Sequence, residues 1–262
     1  MGVGKDAPVP IVLHFLASDA EAACVSSIRM VTPRVDKSDG NAELRRYTDV
    51  LAVLDTLKFQ RITLLTSARW TDRNDRAALE LYGDRTGCSS VLAYCMTEAK
   101  ETFHHWQVFA GHGFGACIVF DKARLLERLN RSGLLHGKVR YRLASNLDRL
   151  HRIADARIPF LKREVFADER EYRIIGSVPA VFSEGGDALQ VGIDLSIIRR
   201  VVLGPSIPSS MADTLQQIIR SFDGCAGMNV HHSRLYENQV WSNSLERLVD
   251  GVSPKDGRAS TL

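Results

Sequence analysis

Phe166-Ala167-Asp168-Glu169-Arg170-Glu171-Tyr172-Arg173-Ile174-Ile175 is the stretch on which the reading of this chain turns. Read as a β-strand, with alternate residues sharing a face, it places Glu169, Glu171 and Arg173 on one side and Tyr172 and Ile174 on the other. Two carboxylates then project together about 7 Å apart, given a rise of roughly 3.3 Å per strand residue. Taken alone, the pattern equally describes a solvated face on which Glu171 and Arg173 form a surface pair worth about 0–1 kcal/mol. The rest of the chain has to decide between a site and a surface.

Upstream, Val50, Leu51, Val53, Leu54 and Leu57 follow helical spacing behind Thr48 or Asp49 as N-cap, and a strand follows over 61–66. Further β-branched or apolar runs predict strands at 91–96, 115–120, 139–143, 172–175, 189–193 and 201–203. Helical patterns lie at 75–82, 103–110, 122–130, 147–156 and 211–222. Strands and helices mix without a strict alternating beat, so the expected class is α+β rather than a doubly wound sheet. Residues 1–42, with one apolar run from Ile11 to Leu16, are expected to be a partly ordered arm. Residues 43–250 form a single catalytic-type domain in this reading, and 251–262 a flexible tail.

Composition narrows the function classes. With 262 residues, 45% of them hydrophobic and 25% charged, the chain can bury a full-sized core. Its 34 basic and 31 acidic residues leave a formal charge of +3, too little for a whole-surface nucleic-acid field, so any such partner needs a local patch. The five cysteines are scattered without a C-x-x-C pair and read as reduced core thiols. Neither a basic leader nor an apolar run near 20 residues is seen, and a cytoplasmic protein without a membrane segment is expected. The adjacent pairs His104-His105 and His231-His232 diverge in helix or strand, so no metal is expected. Gly111, Gly113 and Gly115 follow a helix and precede a strand, the reverse of a dinucleotide-binding turn, and read as an ordinary turn.

The order of motifs carries more than any one of them. Arg46-Tyr47-Thr48-Asp49, Arg69-Trp70-Thr71-Asp72-Arg73-Asn74-Asp75, Ala93-Tyr94-Cys95-Met96-Thr97, His105-Trp106-Gln107-Val108-Phe109-Ala110, 115–121 and finally 169–175 follow one another along the chain. This series resembles a large prokaryotic family known only as domain of unknown function twenty-nine seventy-one, over roughly residues 43–203. The layout is also similar to the ADP-ribosyltransferase fold, particularly its nucleic-acid-modifying toxins, in which a split β-sheet with surrounding helices grips NAD.

That resemblance implies an NAD-dependent ADP-ribosyltransferase, with NAD as substrate and a toxin or defence effector with an antitoxin or defence-system partner as its setting. It implies Glu171 as the catalytic glutamate, Glu169 as the second carboxylate, and Arg46, Thr48, Trp70, Arg73, Trp106 and Phe109 around NAD. Losing nicotinamide leaves an oxocarbenium-like ribosyl cation that a carboxylate such as Glu171 stabilises, while Glu169 takes the acceptor's proton. Arg46 and Arg73 suit the diphosphate, because the planar guanidinium fork matches phosphate oxygens. Several relatives carry Tyr at the position of Phe109, so that ring hydroxyl is absent here. A catalytically silent binding module therefore stays open as an alternative. So does a nucleic-acid-binding or nucleic-acid-cleaving protein, whose phosphate contacts would come from the basic stretches 124–131, 138–142 and 149–163. The acceptor, protein or nucleic acid, is left open.

Overall fold

A computed structural model describes residues 42–111, 113–147, 152–179 and 187–250. In chain order these form β1 (Glu43–Asp49), α1 (Val50–Phe59), β2 (Arg61–Thr66), α2 (Arg73–Thr86), β3 (Cys88–Thr97), α3 (Phe103–Phe109), β4 (Gly115–Asp121) and α4 (Lys122–Ser132). They continue through β5 (Leu135–Lys138), β6 (Arg140–Arg142), α5 (Ala144–Leu147), β7 (Leu161–Arg163), β8 (Glu171–Pro179), β9 (Ala188–Gly192), β10 (Ile198–Leu203), α6 (Ser209–Arg220), β11 (Val230–His232) and α7 (Gln239–Val249). The class is α+β, as expected, with a mostly antiparallel central sheet. The N-terminal arm with its apolar run and the C-terminal tail lie outside the described residues. No helix among the described residues is long and apolar enough to cross a membrane.

α1, α2, α3, α4 and α7 begin where the sequence supplies a side-chain acceptor for an orphan N–H group. Asp49 Oδ1 accepts from the Ala52 N–H at 2.8 Å and Asp121 Oδ1 from that of Arg124 at 3.1 Å, each cap worth about 1 kcal/mol. Two of the three glycines read as a turn have left-handed backbones, Gly111 at φ 71° and Gly113 at φ 97°, and β4 starts at the third.

Two half-sheets meet at β3. Strands β11, β10, β4 and β1 make one half, and β9, β2, β3, β8 and β5 the other. β3 runs its full length along β8, but touches β1 through one registered pair, Arg45 with Thr97, and pairs with β2 only further back, at Ala93 and Leu92. The sheet therefore parts between β1 and β2. One face carries the main core, including Leu44, Ile62, Tyr94, Phe120 and Ile174, with Leu57 of α1, Leu125 of α4 and Ile219 of α6 packed on it. The other face carries two smaller clusters. Tyr47, Cys117 and Val202 lie with Trp106 of α3, while Ala93 and Ile175 lie with Leu79 and Tyr82 of α2.

Of the helix expected over 147–156, residues 148–151 lie outside the described residues. Leu147 is helical as part of α5, whereas residues 152–154 carry no regular structure and Asp155–Phe160 is a 3-10 turn. Pro159 sits inside that turn, and the missing N–H and the constraint on its predecessor disfavour a continuing α-helix. α7 was not anticipated from the sequence.

Candidate active site

β8 starts two residues later than its charge pattern suggests. Glu169 closes a 3-10 helix and Arg170 takes a left-handed backbone at φ 44°, so the strand begins at Glu171. Glu169 and Glu171 are thus brought together by a turn rather than by strand alternation. From Glu171 onward the alternation holds, and Glu171 and Arg173 face the side of Ala93 and α2.

This face is no solvated charge ladder, because Arg173 is fully buried and all five of its N–H donors are used. Nε and Nη2 donate to the two oxygens of Glu171 at 2.7 and 2.8 Å. Nη1 and Nη2 donate to the two oxygens of Asp75 at 2.8 and 2.5 Å, and Nη1 also reaches the Pro159 carbonyl at 2.9 Å. The Trp70 ring closes the guanidinium's flat side at 5.1 Å. Lys162 of β7 enters from the other direction, with Nζ 2.5 Å from Glu169, 3.2 Å from Glu171 and 3.4 Å from Asp75. Tyr141, its register partner on β6, accepts the Glu171 backbone N–H at 2.8 Å. Three carboxylates face two cations, a formal charge of −1 in a nearly dry space.

Electrostatics separates the two glutamates. Burial opposes ionisation of Glu171, but Arg173 and Lys162 overcome it and hold the carboxyl at about 2. For Glu169 burial wins, and its carboxyl is pushed above the usual value of 4.5 despite Lys162. A group whose folded value is raised contributes stability below 4.5 that is lost as pH rises through the folded value. Glu169→Gln is therefore expected to raise the melting temperature at pH 7–8 and to leave it unchanged near pH 4. It leaves two carboxylates for two cations, and Lys162 keeps Glu171 and Asp75. A melting series across pH checks this, and a loss of stability at pH 8 would contradict it.

Beside the cluster, His105 of α3 is buried against Tyr47, with ring centroids 5.3 Å apart, and its Nε2 lies 3.4 Å from the Glu169 carbonyl. Thr97 Oγ1 donates to the same carbonyl at 2.6 Å. Burial lowers the His105 imidazole and favours its neutral form. Arg45, Thr97 and Glu171 stand in one row across β1, β3 and β8 and share a face.

The residues expected around the site divide accordingly. Glu169, Glu171 and Trp70 come together. Arg46 and Thr48 do not, since the register puts them on the opposite face, where the Arg46 guanidinium lies 4.9 Å from the Tyr94 ring centroid. Its Nη1 donates to the Cys95 carbonyl at 2.9 Å, bridging the parting of the sheet. Arg73 is exposed at the first residue of α2. Trp106 is buried edge-on against Tyr47, with Nε1 donating to Glu101 at 2.9 Å. Phe109, at the end of α3, is half-exposed against His104 and His105. Asp75 and Lys162 escaped the sequence reading. Asp75 stood there as the end of the Arg69–Asp75 motif and the first residue of the helix expected over 75–82, and Lys162 stood among ordinary basic residues.

Open space and chemistry do not coincide. A cavity of about 160 Å³ lies at the far end of α3, lined by Trp106, Gln107, Gly113, Gly204, Ser206 and Tyr236, and a hollow of about 580 Å³ lies beside the start of α7. Neither is lined by Asp75, Glu169 or Glu171. The charged cluster is the better candidate, because a carboxylate excess among buried cations is chemically specific and a small glycine-lined hollow is not.

A family described as "Protein of unknown function (DUF2971)" is matched by part of the chain. The match covers residues 105–174. It spans α3 through the start of β8 and includes Lys162, Glu169, Glu171 and Arg173. No curated protein matches the chain. Among solved structures, a DarT of Thermus sp. 2.9 in complex with NAD+ aligns with a TM-score of 0.39 at 8% identity, over 75% of this chain and 97% of that one. The same protein in complex with ADP-ribosylated ssDNA aligns with a TM-score of 0.39 at 8% identity, over 74% and 94%.

Proposed function

We propose that this chain is an NAD-dependent ADP-ribosyltransferase whose reaction centre is the cluster of Asp75, Lys162, Glu169, Glu171 and Arg173. The observation that carries the reading is the carboxylate excess at the head of β8, beside the parting of the sheet. Departure of nicotinamide puts positive charge on the ribosyl carbon, and a fixed negative environment of low polarity stabilises that charge without reorganising. Glu171 stays ionised and is held rigid by Arg173. Arg45, the β1 arginine on the Glu171 face, takes the phosphate-binding place expected for Arg46.

The test is nicotinamide release from NAD together with a melting titration, in which ligand at a hundredfold its dissociation constant adds about 2.7 kcal/mol. Release with stabilisation supports the transferase. Stabilisation without release supports a catalytically silent module, a reading favoured by Arg173 occupying both Glu171 oxygens. Neither response sinks both.

For the acceptor we favour a single-stranded nucleic acid. The parallel pair β6 and β7 turns Tyr141 and Lys162 inward and leaves Arg140, Arg142 and Arg163 exposed on its outer side, with Arg142 and Arg163 in register. Replacing these three arginines by alanine is expected to weaken oligonucleotide binding and to flatten its salt dependence, by about 0.7 in the log–log slope for each phosphate that is no longer neutralised. An unchanged slope would favour a protein acceptor.

A further inference from the structure

The hydrogen-bond arrangement treats the two glutamates differently. Glu171 has both oxygens in the Arg173 fork and its backbone N–H on Tyr141. Asp75 likewise gives both oxygens to Arg173. Glu169 has one oxygen, Oε2, on Lys162, and Oε1 makes no hydrogen bond among the described residues. Among the described residues it is thus the carboxylate oxygen of the cluster that no cation claims.

Every neighbouring element contributes to this asymmetry. Glu171 and Arg173 of β8, Asp75 of α2, Lys162 of β7, Tyr141 of β6 and Cys95 of β3 surround the carboxylates, and His105 of α3 meets the Glu169 carbonyl. Among them, Lys162 is the cation that spans Glu169, Glu171 and Asp75 together.

We propose that Lys162 is a positioning residue that divides the work of the two glutamates, keeping Glu171 as the fixed anion facing the ribosyl cation and presenting Glu169 as the carboxylate that takes the acceptor's proton. This rests on the transferase reading. As the bond from the ribosyl carbon to nicotinamide breaks, nicotinamide leaves neutral with the bonding pair. The acceptor's lone pair closes the new bond to the same carbon. Its proton passes to Glu169 Oε1 and from there to solvent. Simple hydrolysis of NAD uses water as acceptor and depends less on this base.

The experiment compares the full chain with its Lys162→Met, Lys162→Arg and Glu169→Gln variants. Transfer and hydrolysis are followed against pH, and the glutamate carboxyls are titrated by carbon NMR. Wild-type transfer is expected to need one deprotonation, and Glu169→Gln to remove that limb while NAD hydrolysis persists. Lys162→Met is expected to move the limb, and the Glu169 carboxyl titration with it, upward by about one pH unit or more. Lys162→Arg is expected to restore both. A limb that stays in place in Lys162→Met while the rate merely falls would overturn the proposal, as would a limb that survives in Glu169→Gln. Should Lys162→Met not fold, Lys162→Arg and Glu169→Gln decide by the same criteria. If the wild type releases no nicotinamide, the transferase reading fails, and the catalytic division falls with it. The NMR titration then judges the hold of Lys162 on Glu169 separately, and an unmoved carboxyl overturns that too.

Discussion

Replacing Arg173 by methionine is expected to destabilise the fold by about 3–5 kcal/mol, the usual consequence of removing one partner from a buried ionic group. The side chain is fully buried and ties its own strand, through Glu171, to α2 through Asp75 and to the 3-10 turn through the Pro159 carbonyl. Methionine fills much of the space but leaves the carboxylates of Asp75 and Glu171 with Lys162 as their remaining cation. Part of the loss should be recovered by pairing the change with Asp75→Asn, since neutralising one orphaned carboxylate removes part of the penalty. Denaturant unfolding of the single and double variants measures both numbers. A loss under about 1 kcal/mol would mean that the pair behaves as a surface contact.

The second large effect is catalytic. Glu171→Gln keeps the shape but removes the charge facing the ribosyl cation, so nicotinamide release is expected to fall by about 100- to 1,000-fold while NAD binding changes little. The same carboxyl has a folded-state value near 2 against an ordinary 4.5. Its stabilisation is therefore present above 4.5 and lost as pH falls toward 2. The variant should melt lower than wild type at pH 7, and the gap should close as the pH approaches 2. Turnover must be compared at a temperature where both proteins are folded. Undiminished release from folded Glu171→Gln would end the proposed mechanism.

Local pattern carried much of the architecture. The strand over 61–66 was legible with its observed bounds, and α1, α4 and α6 announced themselves by apolar spacing, α1 with its cap at Asp49 as well. The helix expected over 147–156 is not formed at 152–156, just ahead of Pro159, whose effect on the backbone outweighs periodicity. The start of β8 misled because one left-handed residue, Arg170, ended the alternation that the charge pattern suggested.

What the sequence by itself determined is the inventory: an α+β chain, its strand-forming runs, and an acidic pair at the head of a late strand. Only the tertiary structure decided which charges meet. Side chains one residue apart on a strand point to opposite faces, so the register of β1 against β3 put Arg45 in the row of Glu171 and sent Arg46 across to the core. Likewise Asp75 and Arg173 lie 98 residues apart and meet at 2.5 Å, through strand pairing and helix packing that no local window contains. Burial then turned what reads as a weak surface ladder into a cluster of fixed charge, because the value of an ion pair depends on the water excluded around it.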